Sequence, residues 1–352
     1  MIKISTTIFS FTDETFVSSN ISTAASSDSS TDPLLISLII VHSVICVVGM
    51  IGNGLVIYIT GFKMKKTVNT IYFLNLAVAD FIFTFFLIFG IISMSQNFNW
   101  SHGEFMCKFN SFMISLNIFA SIFLLTAISL DRCLSTWVIV WVQNKRTVFK
   151  AKVCCFFIWL ISIGCSVPSF IYHEARYNES TNSTYCLPYM PKYIIIFGFT
   201  VGFLIPAIII TGSYLAIGIR VRRLRQKTMK PFKVIMVVVL AFYFCCLPYN
   251  IYIIIELWAN ETRNKNKEIN LDELNKILSY MAPVVIILGC LNSCLNPFLY
   301  VFMCEDFKTK LRQSLVSVFE GAFAESHLAL QTSRNPPGHL RPHPQIVPED
   351  NL

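Results

Sequence analysis

Residues 34–60 read LLISLIIVHSVICVVGMIGNGLVIYIT. No Asp, Glu, Lys or Arg interrupts the run, and it exceeds the roughly 20 apolar residues a helix needs to cross a bilayer. Working outward, six further segments have the same character: 69–95, 105–134, 151–172, 193–219, 232–258 and 276–302. Backbone groups in hydrocarbon must be satisfied within their own segment, so these should be helices. None alternates with period two, as a barrel strand would. Composition agrees: 54% of the 352 residues are hydrophobic, 31 are Phe and only 14% are charged, where a soluble chain carries about 25%. The predicted fold is all-α, a seven-transmembrane helix bundle over 33–302.

Net charge is +8, but its distribution points to a membrane, not to nucleic acid. Lys63, Lys65 and Lys66 follow the first segment; Lys145, Arg146, Lys150 and Lys152 separate the third and fourth. Arg220, Arg222, Arg223, Arg225, Lys227, Lys230 and Lys233 separate the fifth and sixth, and Lys308, Lys310 and Arg312 follow the seventh. The opposite side holds Lys3, Lys108, Arg176, Lys192, Arg263, Lys265, Lys267 and Lys276, diluted by acids. Positive loops stay inside, which places the N-terminus outside and the C-terminus in the cytoplasm of a multi-pass plasma-membrane protein. Five glycosylation acceptors, Asn20, Asn99, Asn178, Asn182 and Asn260, share the outer side. Of 12 Cys, only Cys107 and Cys186 are placed for the oxidising outer face. We expect a disulfide between them; two free outer thiols are the alternative.

The ends differ from the bundle. Residues 1–32 form a Ser/Thr-rich, mildly acidic outer tail without a clear h-region, so the first helix is expected to serve as an uncleaved anchor, the alternative being a weak cleaved signal. Over 303–320, Phe307, Leu311, Leu315, Val318 and Phe319 recur at helical spacing, as in an amphipathic helix on the inner membrane surface. Residues 321–352 are polar and Pro/His-rich, the composition of a disordered cytoplasmic tail, with Ser326, Thr332 and Ser333 as phosphosite candidates. Pro168, Pro206, Pro248, Pro283 and Pro297 lie inside segments, as tolerated kinks or as hinges.

Polar residues inside a membrane bundle are functional candidates. Asp80 lies deep in the second segment, with Asn53, Ser121, Asn292, Ser293 and Asn296 at similar depth. A carboxylate among hydroxyls and amides can hold Na⁺ or shuttle a proton; the competing reading is a network that only glues helices. Asp131-Arg132 closes the third segment and reads as an ion pair, a latch or snorkelling. Glu256, near the outer end of the sixth segment, could pair with a cationic ligand group or reach outer water.

In combination these residues resemble rhodopsin-like G-protein-coupled receptors. The resemblance rests on Gly52-Asn53, Leu76-Ala77-Val78-Ala79-Asp80, Trp100-x-x-Gly103 with Cys107, Asp131-Arg132-Cys133, Trp159, Pro206 with Tyr214, and Asn296-Pro297-Phe298-Leu299-Tyr300. It spans all seven segments and the short helix. Within the superfamily the chain looks most like the chemoattractant branch of chemerin, formyl-peptide and complement-peptide receptors, through residues 61–69, 131–133, 141–147 and 300–308, and Glu256. The resemblance implies an extracellular peptide or small-protein ligand, an inhibitory-type heterotrimeric G protein, arrestin as a further partner, and contact with membrane lipid. It also implies ligand contacts at Glu256, Asn117 and Cys246, a Na⁺ site at Asp80, and an activation switch of Asp131, Arg132, Tyr214, Pro248, Pro297 and Tyr300. Arg132 would pair with Asp131 at rest and move toward Tyr214 on activation.

The chain also departs from the family. The usual Cys-Trp-x-Pro is Cys245-Cys246-Leu247-Pro248, the Pro of the second segment is Ile88, and the His-Pro after the third-segment motif is Val138-Ile139. Gly198 stands where relatives carry an Arg that can bind a ligand carboxylate, and Ser115 where formyl-peptide receptors carry an Asp. A decoy receptor that binds but couples weakly is therefore the rival reading. Transporters usually show internal repeats and several intramembrane charges; neither occurs here. The six His, at 42, 102, 173, 327, 339 and 343, do not converge on a metal or catalytic set, so neither an enzyme nor a cofactor is expected beyond Na⁺.

Overall fold

A computed structural model of the chain describes residues 33–138, 146–223, 230–265, 272–303, 307–314 and 316. Helix α1 spans Pro33–Lys63 and ends in a π-helical turn over Ile59–Lys63. It is followed by α2 (Val68–Ser95), α3 (Gly103–Trp137) and α4 (Val148–Ile171). A hairpin of β1 (His173–Asn178) and β2 (Ser183–Pro188) leads to α5 (Lys192–Arg223), α6 (Lys230–Lys265) and α7 (Asp272–Met303). Residues 307–314 add a short helix, α8. Among the described residues, α1 to α5 and the Glu273–Pro297 part of α7 are long and apolar enough to cross a membrane. The 36-residue α6 carries the apolar segment 232–258. The seven-helix bundle is thus the architecture observed.

Local chemistry sets the helix starts. Thr67 and Thr70 form a reciprocal capping box at the start of α2, and the Thr147 hydroxyl accepts from the Lys150 amide at the start of α4. The helices are apolar on both faces: on α1, Leu38, Ile45 and Val56 are buried while Ile40, Val44, Val47 and Ile51 face outward. That pattern belongs to lipid, which asks for no polar face. Helix α3 is the hub, packed on α2, α4 and α5, and α7 closes against α6, α1 and α2. Gly49 and Gly52 let α1 approach closely: a Cβ at Gly49 would overlap Thr84 and lie 2.9 Å from Cys294 Sγ, and one at Gly52 would lie 3.0 Å from Pro297.

Two features depart from expectation. Helix α5 contains a π-helical turn at Thr200–Leu204, immediately before Pro206. In α8 Phe307 is only 3% exposed and packs, with Leu311, into the bundle core, so part of the stripe expected on the membrane surface is spent on protein. Leu315, Val318, Phe319, the two tails and Asn20 lie outside the described residues.

Candidate functional site

Three regions carry the polar chemistry. At mid-bundle, Asp80 is fully buried. Its Oδ1 accepts from Asn117 Nδ2 at 3.0 Å and from Ser121 Oγ at 3.3 Å, and its Oδ2 accepts from Asn296 Nδ2 at 2.6 Å. Ser293 Oγ donates to Asn117 Oδ1 at 3.4 Å, and Asn53 Nδ2 donates to the Ser293 carbonyl at 3.0 Å, so α1, α2, α3 and α7 share one network. Asn53 Oδ1 is buried with no partner among the described residues. Asn292 is set apart from these bonds and lines a cavity above. Asn117 belongs to both: it binds Asp80 and lines the cavity.

At the end of α3 the described salt bridge on Asp131 runs to Arg146, where the adjacent Arg132 was the expected partner. Arg146 Nε lies 3.0 and 3.2 Å from the two carboxylate oxygens, and Nη2 lies 2.9 Å from Oδ2. Nη2 also donates to Asn69 Oδ1 at 2.7 Å, tying α2, α3 and the start of α4 together. Arg132 is an electrostatic neighbour of Tyr214, whose hydroxyl is within hydrogen-bonding reach of Ser129. Pro248 lies inside α6 and buried Pro297 inside α7. Tyr300 continues the α7 backbone, but its side chain lies outside the described residues, as does Ile139.

Toward the other end a cavity of about 280 Å³ opens between the helices. Cys246 and Asn117 line it, as do Gly198 and Ser115. The β1–β2 hairpin is fastened beside it by the Cys107–Cys186 disulfide, with Cα atoms 5.6 Å apart, and Cys186 reaches the lining. Trp100 N donates to the Thr184 carbonyl at 2.7 Å and Thr184 N to Asn99 Oδ1 at 2.9 Å, which pins the hairpin a second time. Asn182, exposed at the hairpin tip, accepts from the Tyr177 hydroxyl, and Asn178 accepts from the Ser180 amide. Asn260 lies within α6, half-buried.

Glu256 is 7% exposed and outside the cavity lining. It sits in a small pocket between α6 and α7 with Tyr252, Asn260 and Asn275. Burial therefore sets aside the open route to outer water. The sequence reading missed Arg146 as the partner of Asp131 and Asn69 as a second partner of Arg146. It also missed His42, Asn110 and His173 in the cavity wall. The only sequence signal for Arg146 was its place in a basic loop.

The profile of the family described as "7 transmembrane receptor (rhodopsin family)" matches residues 52–300. The chain is 37% identical to Chemerin-like receptor 1 of Sus scrofa over 312 residues, 82% of this chain and 83% of the relative. It is 39% identical to the C3a anaphylatoxin chemotactic receptor of Oncorhynchus mykiss over 298 residues, 82% and 79% of the two chains. With N-formyl peptide receptor 3 of Homo sapiens it shares 36% identity over 319 residues, 85% and 88%.

Proposed function

The chain belongs to the rhodopsin-family seven-transmembrane receptors, in their chemoattractant-receptor branch, and from that membership we propose that it binds an extracellular peptide or small protein and signals to an inhibitory-type heterotrimeric G protein. It is a multi-pass membrane receptor of a signalling family. The observation that carries the proposal is continuity: a cavity beside a doubly pinned hairpin shares Asn117 with the Asp80 network, which runs on through Asn296 toward the end of α7. In this reading the hairpin and N-terminus face outside, and Pro248 and Pro297 are hinges. A ligand favouring the state with the inner halves of α5 and α6 apart shifts the equilibrium by its differential affinity. The Asp131–Arg146 clamp opens, and Arg132 and Tyr214 meet the partner. The basic inner loops contact anionic lipid, and a phosphorylated tail recruits arrestin.

The oxygen-rich set around Asp80 suits Na⁺ in donor type. The Asp80 carboxylate and the Ser121 hydroxyl would hold it, in place of some of the three hydrogen bonds that the carboxylate accepts.

The decisive measurement is chemoattractant-stimulated nucleotide exchange on an inhibitory-type G protein, using the purified chain in lipid nanodiscs and a panel of chemoattractant peptides. Exchange that depends on Arg132 supports the reading. Peptide binding without exchange supports the decoy alternative, which Cys246 in place of the family's Trp favours.

A further inference from the structure

The end of α5 away from the hairpin carries charge that no described residue balances. Helix α5 begins just after the disulfide-tethered hairpin and ends at the opposite face with Arg220, Arg222 and Arg223. Among the described residues no carboxylate forms an ion pair with any of the three. Asp131, the acid at this end of α3, is already held by Arg146. Arg220 is also fixed in place. Its guanidinium lies over the Trp137 ring at 5.4 Å, and Trp137 Nε1 donates to the Ala216 carbonyl at 3.1 Å, so α3 sets the position of the charge. Arg220 Nε is buried, with no partner among the described residues, which leaves the Nη pair as the edge presented to the surface. Residues three apart share a helix face and residues two apart do not. Arg223 therefore stands beside Arg220, while Arg222 points elsewhere around the helix.

Next to these charges, toward mid-bundle, the surface is apolar. Leu130, Leu134 and Val138 at the end of α3, and Leu215 and Ile219 on α5, are all exposed. The Trp137–Ala216 bond joins the two helices along this seam, and a Cβ at Gly212 would meet nothing within 4 Å, so protein does not fill the α5 side of it there. Any outward apolar face of a membrane protein meets acyl chains; this one adds a positioned cation at their headgroup end. A guanidinium held on one edge and open on its fork suits phosphate, which it meets with two parallel N–H groups. A headgroup with one net negative charge leaves most of the arginine charge uncompensated, whereas each phosphomonoester brings about −1.5 to −2. Resting on the reading that this end of α5 lies at the inner leaflet, we propose that the α3–α5 seam is a phosphoinositide site. The acyl chains lie along Leu134 and Ile219, and the headgroup phosphates sit on Arg220 and Arg223. Trp137 is the positioning residue that holds Arg220 for them.

The test titrates phosphatidylinositol bisphosphate, and separately phosphatidylserine, into the full chain in detergent and counts retained lipid by native mass spectrometry. The wild-type chain is expected to hold one phosphoinositide at least about tenfold more tightly than phosphatidylserine, a difference of about 1.4 kcal/mol. Arg220→Gln and Trp137→Leu should each weaken phosphoinositide retention about fivefold or more, and Arg222→Gln about twofold or less, because a charge outside the site acts only through screened solvent. Equal retention of the two lipids by the wild-type chain overturns the proposal whatever the variants do. An Arg222→Gln effect as large as that of Arg220→Gln also overturns it, by showing a diffuse basic surface. So does an Arg220→Gln chain with a lowered thermal midpoint and unchanged lipid retention, which would leave the stack on Trp137 as a structural joint alone. Lipid retention is read without peptide or G protein, so its failure is separate from a failure of the exchange measurement, which would strike the signalling reading alone.

Discussion

Arg146 touches both oxygens of Asp131 and also holds Asn69, with side-chain exposures of 19% for Arg146 and 9% for Asp131. Screening by solvent is therefore limited, and Arg146→Ala should cost about 2–3 kcal/mol by stranding the carboxylate. Arg146→Lys should recover only part of this, because an ammonium cannot reproduce a planar, forked contact. Thermal unfolding in nanodiscs reads the stability, and basal nucleotide exchange reads the clamp, which should loosen and raise exchange several-fold. A double-mutant cycle with Asp131→Asn separates the pair from its surroundings. Wild-type basal exchange in Arg146→Ala would remove the clamp from the mechanism. The pairing was hidden in the sequence because it crosses a loop turn without periodicity, whereas Asp80 stood out as one acid in an apolar segment. For Asp80 the corresponding expectation is that Asp80→Asn removes any dependence of peptide affinity on Na⁺ between low and physiological concentration. Persistence of such dependence in the variant would place the ion elsewhere.

The β1–β2 hairpin is the element least legible beforehand. Its strands are short and polar, and its partner across the gap is set by the disulfide and by Trp100 and Asn99, all distant in sequence. The two outer cysteines announced the tether but not the strand pairing His173↔Pro188 to Asn178↔Ser183. His173, at the root of β1, gives the hairpin a pH signature. Unfolded, it takes a proton below its ordinary value of 6.5, whereas in the folded chain burial delays this to about 4. The folded state is thus fully favoured above about 6.5, loses stability as pH falls, and has lost the whole contribution, about 3 kcal/mol, once pH passes below about 4. His173→Phe should flatten the fall in thermal midpoint between pH 7 and 5 relative to the parent. Parallel slopes in the two proteins would show that His173 is not the group responsible.

The bundle as a whole was legible because lipid imposes a simple rule: a spanning helix must be long, apolar and internally hydrogen-bonded. Segment 34–60 satisfied it from end to end, and the structure extends it only to Pro33–Lys63. What lipid does not dictate is which faces meet, so the placement of Glu256 between α6 and α7, and of His42 in the cavity wall, came from packing alone. The same holds for the seam that must open in the proposed activation. Tyr243 on α6 shares a hydrogen bond with Thr211 Oγ1 at 2.7 Å and donates to the Ala207 carbonyl at 2.8 Å, both on α5 just past Pro206. Tyr243 lies five residues before Pro248, in the half of α6 that leads from the α5–α6 loop. If separation of these halves is the global switch, each bond opposes it by about 0.5–1.5 kcal/mol. Tyr243→Phe keeps the ring that packs on Phe203 at 6.5 Å and deletes only the hydroxyl. The variant should raise basal nucleotide exchange by about five- to tenfold, the population shift expected from about 1–1.4 kcal/mol. Basal exchange equal to wild type, at equal receptor density, would mean that the α5–α6 seam does not limit the transition.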